Sequence, residues 1–400
     1  MKTETKLAID GGNPVRQQML PYGRQWLNQT DIQSVVDVLQ SDWLTTGPKV
    51  TEFEQAFAQK VTAKEAVAIS NGTAALHAAM FAADIQPGDE VIVPTMTFAA
   101  SANAVVYQGA KPVFVDVDPN TGLIDVERVS AAITPQTKVI VAVDYAGQSC
   151  AYDELRDLAE QHHCTLVADA CHALGGSYKE ESVGAIADLN TFSFHPVKHI
   201  ASGEGGMVTT NDAQLAQRMR VFRNHGITTD HRQREVQGSW FYEMVDLGFN
   251  YRLSDIQCAL GIAQLNRLDE FVQRRRLIAK RYDNAFASLS EVKPLLLQPE
   301  AKHAYHLYVV RFALDHLKAD RGQLFSALRA EGIGVNVHYI PVHLHPFYQN
   351  QFGTTPGMCP AAEALYESIV SLPMFPGMTD EDQNDVIEAM NKMVEHYRLA

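Results

Sequence analysis

The region from residue 60 to residue 225 alternates short runs of β-branched residues with amphipathic stretches. This alternation is typical of strands joined by crossover helices, and it predicts an α/β fold with a mostly parallel sheet. The predicted strands are at residues 66–70, 90–94, 112–116, 138–144, 165–169, 191–194 and 206–209. Leucine and alanine recur at helical spacing over 99–107 and 152–163, which predicts helices there.

The C-terminal part has a different pattern, which predicts a smaller α+β domain. One long helix is expected at 253–286, and a strand, a helix and a strand are expected at 306–313, 321–331 and 335–339. A chain of 400 residues exceeds the roughly 150 residues of an ordinary domain. We therefore predict a large domain at 1–252 and a linker helix with a small domain at 253–400.

The charge and the apolar pattern exclude several function classes. Lys and Arg number 33 against 47 Asp and Glu, a net charge of −14, which disfavours a nucleic-acid surface or an anionic membrane as partner. Residues 1–7 lack an apolar signal core, and no apolar run approaches the roughly 18 residues of a membrane span. A cytoplasmic protein is expected. The five cysteines form no CxxC pair and indicate neither a disulfide framework nor a zinc ribbon.

The turn after the first predicted strand is a candidate anion site. Ligands of open α/β sheets bind beyond the carboxyl ends of the strands, where Gly72 and Thr73 begin a helix. Free N–H groups at a helix start attract phosphate, and Ser193 is a further candidate contact. The same residues would also suit an ordinary capped turn. The dinucleotide motif GxGxxG is absent there.

Asp169 and Lys198 together indicate a pyridoxal phosphate (PLP) site. Lys198 lies 29 residues after Asp169, which ends an apolar strand. A lysine amine can bond to the cofactor aldehyde, and a carboxylate keeps the pyridine nitrogen protonated. At about 4 Å and an effective dielectric near 20, that attraction is roughly 4 kcal/mol, or about three pKa units. The alternatives are a helix-capping aspartate and a surface lysine.

Two further residues are candidate ring contacts. Phe98 follows the second strand and could stack on the pyridine ring, although a core phenylalanine would show the same pattern. His172 lies three residues after Asp169 and could contact the phenolic oxygen of the cofactor.

The histidine clusters do not predict a metal site. Residues 162–164 and 171–172 are separated by a strand, and seven extended residues span roughly 23 Å, too far for one tetrahedral centre. His338, His343 and His345 have no acidic or cysteine ligand next to them in sequence. No metal is expected.

Five segments resemble the DegT/DnrJ/EryC1/StrS sugar aminotransferases. They are residues 70–77, 169–175, 193–198, 203–206 and 248–257. The resemblance covers nearly the whole chain. It implies a PLP-dependent transferase of fold type I, similar to aspartate aminotransferase, and an obligate homodimer with shared active sites. It also implies transfer of nitrogen from glutamate to a nucleotide-linked keto sugar.

The resemblance carries residue roles onto this sequence. Lys198 would hold the cofactor and shuttle a proton, and Asp169 would pair with the pyridinium. The implied phosphate contacts are Gly72, Thr73, Ser193 and, from the neighbouring subunit, Asn250. Arg252 would reach the same site.

Within the family, His172 and residues 143–147 look most like the pseudaminic-acid branch. That branch aminates a UDP-linked 4-keto-6-deoxy-N-acetyl hexose at C4. The substrate contacts implied are Tyr22, Trp43, Leu44, Thr45, Arg252, His338, Tyr339, Ile340 and Pro341.

Three alternatives stay open at this point. The first is another nucleotide-linked keto sugar, aminated at C3 or carried by dTDP. The second is a sugar dehydratase, in which histidine replaces the lysine that is intact here as Lys198. The third is a non-catalytic regulator that binds the cofactor.

Overall fold

The computed structural model describes residues 6–399; residues 1–5, most of the N-terminal segment considered above, and residue 400 lie outside it. The α-helices of the described part are α1 (Gln29–Leu39), α2 (Pro48–Val61), α3 (Gly72–Ala82), α4 (Ala99–Tyr107), α5 (Val126–Ala132), α6 (Tyr152–His162), α7 (Ala213–Phe222), α8 (His231–Gln237), α9 (Asp255–Leu265), α10 (Leu268–Phe286), α11 (Arg321–Ala330), α12 (Pro346–Phe352), α13 (Pro360–Ser368) and α14 (Asp380–Tyr397). Within 6–399, no helix has the length and apolar character needed to cross a membrane.

The strands of the described part are β1 (Glu65–Ile69), β2 (Glu90–Pro94), β3 (Lys111–Val115), β4 (Thr137–Val143), β5 (Thr165–Asp169), β6 (Ser177–Tyr178), β7 (Glu181–Ser182), β8 (Leu189–Ser193), β9 (Gly206–Thr210), β10 (Val292–Pro294), β11 (Ala301–Lys302), β12 (Tyr308–Phe312) and β13 (Ile369–Leu372).

A seven-stranded sheet, in the order β1-β9-β8-β5-β4-β2-β3, forms the centre of the molecule. Neighbouring strands from β8 to β3 run parallel, and β9 runs antiparallel to both of its neighbours. Because helices cover both faces of such a sheet, its strands are apolar runs rather than alternating ones. The predicted α/β class is confirmed, and the seven predicted strands are present with ends shifted by at most two residues.

An aromatic cluster packs α2 against the sheet. Phe57 of α2 is fully buried, and its ring centroid lies 5.0 Å from that of Phe192 and 5.6 Å from that of Phe194. Phe53, one turn earlier on the same helix face, lies 5.2 Å from Phe194. Tilted and edge-on aromatic pairs at these distances stabilise the fold beyond the contribution of the apolar area that they bury. These ring contacts position β8, the strand that precedes the Lys198 loop.

A second hydrophobic core surrounds the three-stranded sheet β10-β12-β13. Helices α11 and α14 contribute to it, and so do Leu7 and Leu20 from the N-terminal part of the chain. Helix α10 reaches both cores, because Phe271 belongs to the first and Tyr282 to the second. The proposed division of the chain at residue 252 stays a prediction.

The single helix predicted over 253–286 is wrong, since α9 and α10 are separate helices. Helix α9 packs against α1 and α2. At its end, the Gln264 amide donates to Asp31 Oδ2 at 2.9 Å, and Arg267 donates to the same oxygen at 3.2 Å. These contacts with a buried carboxylate hold the break in place, and no glycine or proline marks it in the sequence.

The strand predicted over 335–339 is also absent. Asn336 pairs with Ser371 in an isolated bridge, and the ladder does not continue. The N–H of Val337 is taken by the Asn336 side chain at 2.8 Å, and that of Tyr339 by Met96 Sδ at 3.4 Å. Backbone N–H groups that donate to side chains are not available for a strand ladder, which explains why no strand forms. Residues 336–339 line a cavity instead.

We predict that Phe57→Ala destabilises the protein by roughly 3–5 kcal/mol, because it removes a fully buried ring and leaves a cavity beside β8. Thermal unfolding of the purified protein measures the effect. The matched control is Leu39→Ala, whose side chain is exposed and should change the unfolding midpoint little. Equal midpoints for the two variants would contradict this account of the core.

Candidate active site

A cavity of about 830 Å³ opens where the parallel strands end. Asp169 ends β5 and Ser193 ends β8, so the topology itself brings their side chains to one place. Among the residues predicted from sequence, those that line the cavity are Tyr22, Gly72, Thr73, Phe98, Asp169, His172, Ser193, Lys198, His338 and Tyr339.

Asp169 is held by two hydrogen bonds at the base of the cavity. Its side chain is only 7% exposed. Ser101 Oγ donates to Oδ2 at 2.6 Å, and the N–H of Cys171 donates to Oδ1 at 3.3 Å. Ser101 is bonded in turn to Thr97 Oγ1 at 2.7 Å. A buried carboxylate fixed in this way offers negative charge to a cation in the cavity.

Lys198 lies on the loop after β8 and lines the same cavity. Burial lowers the pKa of its amine, while Cys171 and Asp169 nearby act in the opposite direction and the charge of Arg275 adds to the lowering. A lowered pKa increases the fraction of neutral amine, which is the nucleophilic form.

Arg275 connects the Lys198 loop to the rest of the molecule. Its guanidinium is fully buried, and Nη1 donates to the backbone oxygens of Tyr305, His306 and Met374 at 3.1, 3.1 and 3.0 Å. Nη2 donates to the backbone oxygen of Val197 at 3.5 Å. One planar group with several donors therefore joins three separate segments.

The start of α3 forms a narrow seat next to Ser193. Asn71 caps the helix by accepting the N–H of Ala74 at 2.8 Å. A Cβ added to Gly72 would lie 2.8 Å from Ser193 Cβ, and one added to Gly206 would lie 2.5 Å from the Asn71 oxygen. Both positions therefore require glycine. The space left by the missing side chain of Gly72 adjoins the free N–H groups at the start of α3, and such groups can bind an anion.

His172 and Tyr339 form a pair at the cavity wall. The Tyr339 hydroxyl and His172 Nε2 are 3.0 Å apart, and His172 Nδ1 is buried without a hydrogen-bond partner among residues 6–399. Burial lowers the pKa of His172 well below its usual range, and the charge of Lys198 adds to this. His172 is therefore a neutral imidazole at physiological pH. His306 packs on it at 4.3 Å between ring centroids.

Phe98 and Tyr22 stand at the mouth of the cavity. Phe98 is 59% exposed, so it is not the core phenylalanine of the alternative interpretation. Its ring lies 5.9 Å from that of Tyr339. Tyr22 lies 5.3 Å from the His338 ring, and burial raises the pKa of its hydroxyl. The result is an aromatic and polar rim around an open space.

Other predicted site residues lie outside this cavity in the single chain: Trp43, Leu44, Thr45, Asn250, Arg252, Ile340 and Pro341. Leu44 accepts the N–H of Asp255 at 3.0 Å, and Thr45 pairs with Ser254. Arg252 donates to Asn224 Oδ1 at 2.8 Å in a separate small pocket. Their roles in the site stay predictions.

No group of three or more His, Cys, Asp and Glu side chains within 6–399 is arranged to hold a metal ion. His343 from the histidine-rich segment is instead bonded on both ring nitrogens. Nδ1 lies 2.6 Å from Thr95 Oγ1, and Nε2 lies 2.9 Å from Glu363 Oε1.

The sequence interpretation missed Ser101, Arg275, His306 and Asn336 at this site. Asn336 and His306 line the cavity, and Ser101 and Arg275 hold its components. No local pattern marks them. Ser101, Arg275 and His306 contact residues far away in the sequence, whereas the Asn336 side chain bonds to the neighbouring Val337. A fully buried arginine on an amphipathic helix cannot be recognised before the packing is known.

The model of the DegT/DnrJ/EryC1/StrS aminotransferase family matches residues 25–391. The chain belongs to this family. A relative in the family, the spore coat polysaccharide biosynthesis protein SpsC of Bacillus subtilis, is 42% identical over 381 residues, which cover 95% of this chain and 98% of SpsC.

Solved structures of family aminotransferases have the same fold. PseC of Helicobacter pylori, an aminotransferase involved in the biosynthesis of pseudoaminic acid, has a TM-score of 0.88 at 31% identity and covers 95% of this chain and 100% of PseC. Spr1654 of Streptococcus pneumoniae, described as a sugar aminotransferase, has a TM-score of 0.88 at 33% identity and covers 94% and 99%. It was solved in PLP and PMP forms. The predicted family, fold, cofactor and PLP-dependent aminotransferase class are confirmed.

We predict that Gly72→Ala weakens PLP binding roughly 5- to 150-fold, because overpacking against Ser193 costs about 1–3 kcal/mol. Titration of the apoprotein with PLP, followed by visible absorbance, gives the dissociation constant. Gly322→Ala, on an exposed face of α11, is the control and should bind PLP like the wild type. Unchanged affinity in Gly72→Ala would rule out the proposed seat.

Proposed function

We propose that this enzyme transfers an amino group from glutamate to a nucleotide-linked 4-keto-6-deoxy sugar, with UDP as the nucleotide. The product would be a 4-amino sugar for a surface glycan of the pseudaminic-acid type. The observation that carries the proposal is that Asp169 and Lys198 line one cavity in an aminotransferase fold. The names of SpsC and PseC, which refer to polysaccharide and pseudoaminic-acid biosynthesis, support this substrate class.

The residues of the cavity fit the cofactor. Its volume of about 830 Å³ lies in the upper part of the roughly 300–1,000 Å³ that is usual for ligand sites. This volume leaves room for a sugar beside the cofactor. Gly72 and Thr73 begin α3 next to Ser193, which suits a phosphate, and Asp169 offers a fixed carboxylate. Phe98 is exposed toward the space where a ring would stack.

When bound, PLP supplies an aldehyde carbon that takes up the amino group and a pyridinium ring that draws electrons from the reacting carbon. Asp169 would keep that ring cationic, and Ser101 would hold Asp169 in the required orientation. His172 would contact the phenolic oxygen as a neutral imidazole, with Tyr339 fixing its orientation. These residues provide binding and electrostatics for both halves of the reaction.

Lys198 would have two roles. It would first hold the cofactor covalently through Nζ. Once the donor amine has displaced it, the free amine would take a proton at Nζ from the α-carbon of the donor and deliver it to the former aldehyde carbon of the cofactor. The lowering of the Lys198 pKa by burial favours the neutral amine needed for both roles. The Arg275 link to Val197 keeps this loop in place during the exchange.

We propose a homodimer whose subunits complete each other's sites. The exposed apolar side chains just before Asn250 support this proposal. They are Val236, Trp240, Phe241, Tyr242, Met244, Val245 and Leu247. Exposed apolar side chains that cluster in this way are typical of a protein–protein interface. Burial of this segment by a partner would take Asn250 and Arg252 to the neighbouring phosphate site.

The sugar is proposed to bind at the rim of the cavity. Tyr22, His338 and Tyr339 present polar groups on aromatic rings there. Trp43, Leu44, Thr45, Ile340 and Pro341 remain proposed contacts of the sugar. A cytoplasmic location is part of the same proposal, because nucleotide-linked sugars and glutamate are cytoplasmic substrates.

We predict that the purified protein with PLP is yellow and that borohydride bleaches it, because Lys198 bonds to the cofactor aldehyde. Lys198→Ala should show neither property. Absorbance spectra before and after reduction measure this, and Lys302→Ala, on an exposed strand, is the control. A colourless wild type after reconstitution would end the proposal of PLP chemistry.

We predict one strong amination when UDP- and dTDP-linked keto sugars are offered with glutamate, and we expect it with the UDP-linked 4-keto sugar. The mass of the product identifies the reaction, since replacement of a ketone oxygen by an amine changes it characteristically. Amination at C3, or of the dTDP sugar alone, would favour the alternative substrates. Loss of water without nitrogen uptake would favour a dehydratase.

A further inference from the structure

His306 lines the cavity beside His172, and its backbone is held in place on two sides. The ring centroids of the two histidines are 4.3 Å apart. The N–H of Ala304 donates to the Gly147 oxygen at 2.8 Å, and Arg275 Nη1 donates to the His306 oxygen at 3.1 Å. A Cβ added to Gly147, whose φ is +107°, would lie 2.7 Å from the His172 oxygen and 2.9 Å from the His306 backbone nitrogen. This close packing therefore requires glycine at position 147.

The two ring nitrogens of His306 have different surroundings. Nδ1 is buried and has no hydrogen-bond partner within residues 6–399. Nε2 is not enclosed in this way, so it is the nitrogen that a molecule in the cavity can reach. Unpaired buried N–H groups are rarer in proteins than unpaired acceptors, which places the proton of a neutral His306 ring on Nε2. His306 therefore presents an N–H donor to the cavity.

The groups around His306 keep its ring uncharged. Burial lowers its pKa well below the usual range, and the charges of Lys198, His172, His199 and Arg275 add to the lowering. The His199 ring centroid lies 5.9 Å from that of His306. A proton added to one ring of this cluster would be repelled by the cations beside it. His306 is therefore a neutral donor at physiological pH.

A neutral donor suits a cavity that takes two substrates of different charge in turn. Glutamate has a carboxylate on its reacting carbon, and the keto sugar has a hydroxyl on the carbon next to its ketone. An arginine at this place would lose its partner whenever the uncharged sugar ring replaced the carboxylate, and a buried unpaired charge is unfavourable. A neutral N–H can donate to either oxygen.

We propose that His306 is a substrate-binding residue whose Nε2–H donates first to the α-carboxylate of glutamate and then to the sugar hydroxyl next to the ketone. Its place beside His172 supports this, because the phenolic oxygen assigned to His172 is next to the cofactor aldehyde, where both substrates react. This inference rests on the proposed function, since it needs these two substrates.

The test compares His306→Phe, which keeps an aromatic ring against His172 and removes the N–H, with His306→Gln, which keeps a donor near the position of Nε2. The half-reactions of the holoenzyme with glutamate and with the UDP-linked 4-keto sugar are followed separately by visible absorbance. For His306→Phe, kcat/KM should fall roughly 10- to 150-fold with glutamate, whose carboxylate is charged, and roughly 2- to 10-fold with the sugar. His306→Gln should retain most of both activities. Unchanged half-reactions in His306→Phe would overturn the inference.

Affinity for PLP separates substrate binding from a structural role. His306→Phe and His306→Gln should both bind PLP like the wild type, because the donor is assigned to the substrates and not to the cofactor. Titration of the apoproteins, followed by visible absorbance, measures this. A loss of PLP affinity in His306→Phe as large as its loss of kcat/KM would mean that His306 only supports His172, and the inference would be wrong.

Binding of glutarate measures the carboxylate contact without turnover. Glutarate has the two carboxylates of glutamate and no amine. The His306→Phe holoenzyme should bind it roughly 10- to 150-fold more weakly than the wild type, and equal affinities would overturn the inference. If His306→Phe does not fold, His306→Asn replaces it, because its shorter amide does not reach the position of Nε2 and should lose the same contact. A wild type that takes no nitrogen from glutamate contradicts the proposed function instead, and glutarate binding still tests His306.

Discussion

A carboxylate at the end of a buried strand is the constraint on which the site depends. Asp169 lies at the centre of the sheet, and its two oxygens accept hydrogen bonds from Ser101 and from the N–H of Cys171. A charge in such a place is unfavourable without a cation. The cavity above it is the space in which a cation can bind, and Lys198 lines the same space.

The second constraint is the connection between the two hydrophobic cores. Arg275 is fully buried on the helix that reaches both cores, and it donates to the backbone oxygens of His306 and Met374. Val197, next to Lys198, is one of its partners. The position of the reactive amine is therefore coupled to the packing of α10 and not only to the strand before it. A movement of one core relative to the other would therefore displace Lys198.

The elements that local pattern predicted well are those whose burial is uniform along the strand. The strands ending at Asp169 and Pro94 were predicted with their observed bounds, because an apolar run buried on both faces needs no partner-specific information. The errors lie where a distant side chain decides. Asp31 holds the break between α9 and α10, and side chains take the backbone donors of Val337 and Tyr339.

The sequence by itself determined the fold class, the family motifs and the pairing of Asp169 with Lys198, because these depend on residue type, spacing and the order of strands. Only the tertiary structure decided that Ser101 orients Asp169 and that Arg275 secures the Lys198 loop. The reason is physical. Hydrogen bonds and desolvation act through space over a few ångströms, and residues that meet in this way are separated by tens or hundreds of positions along the chain.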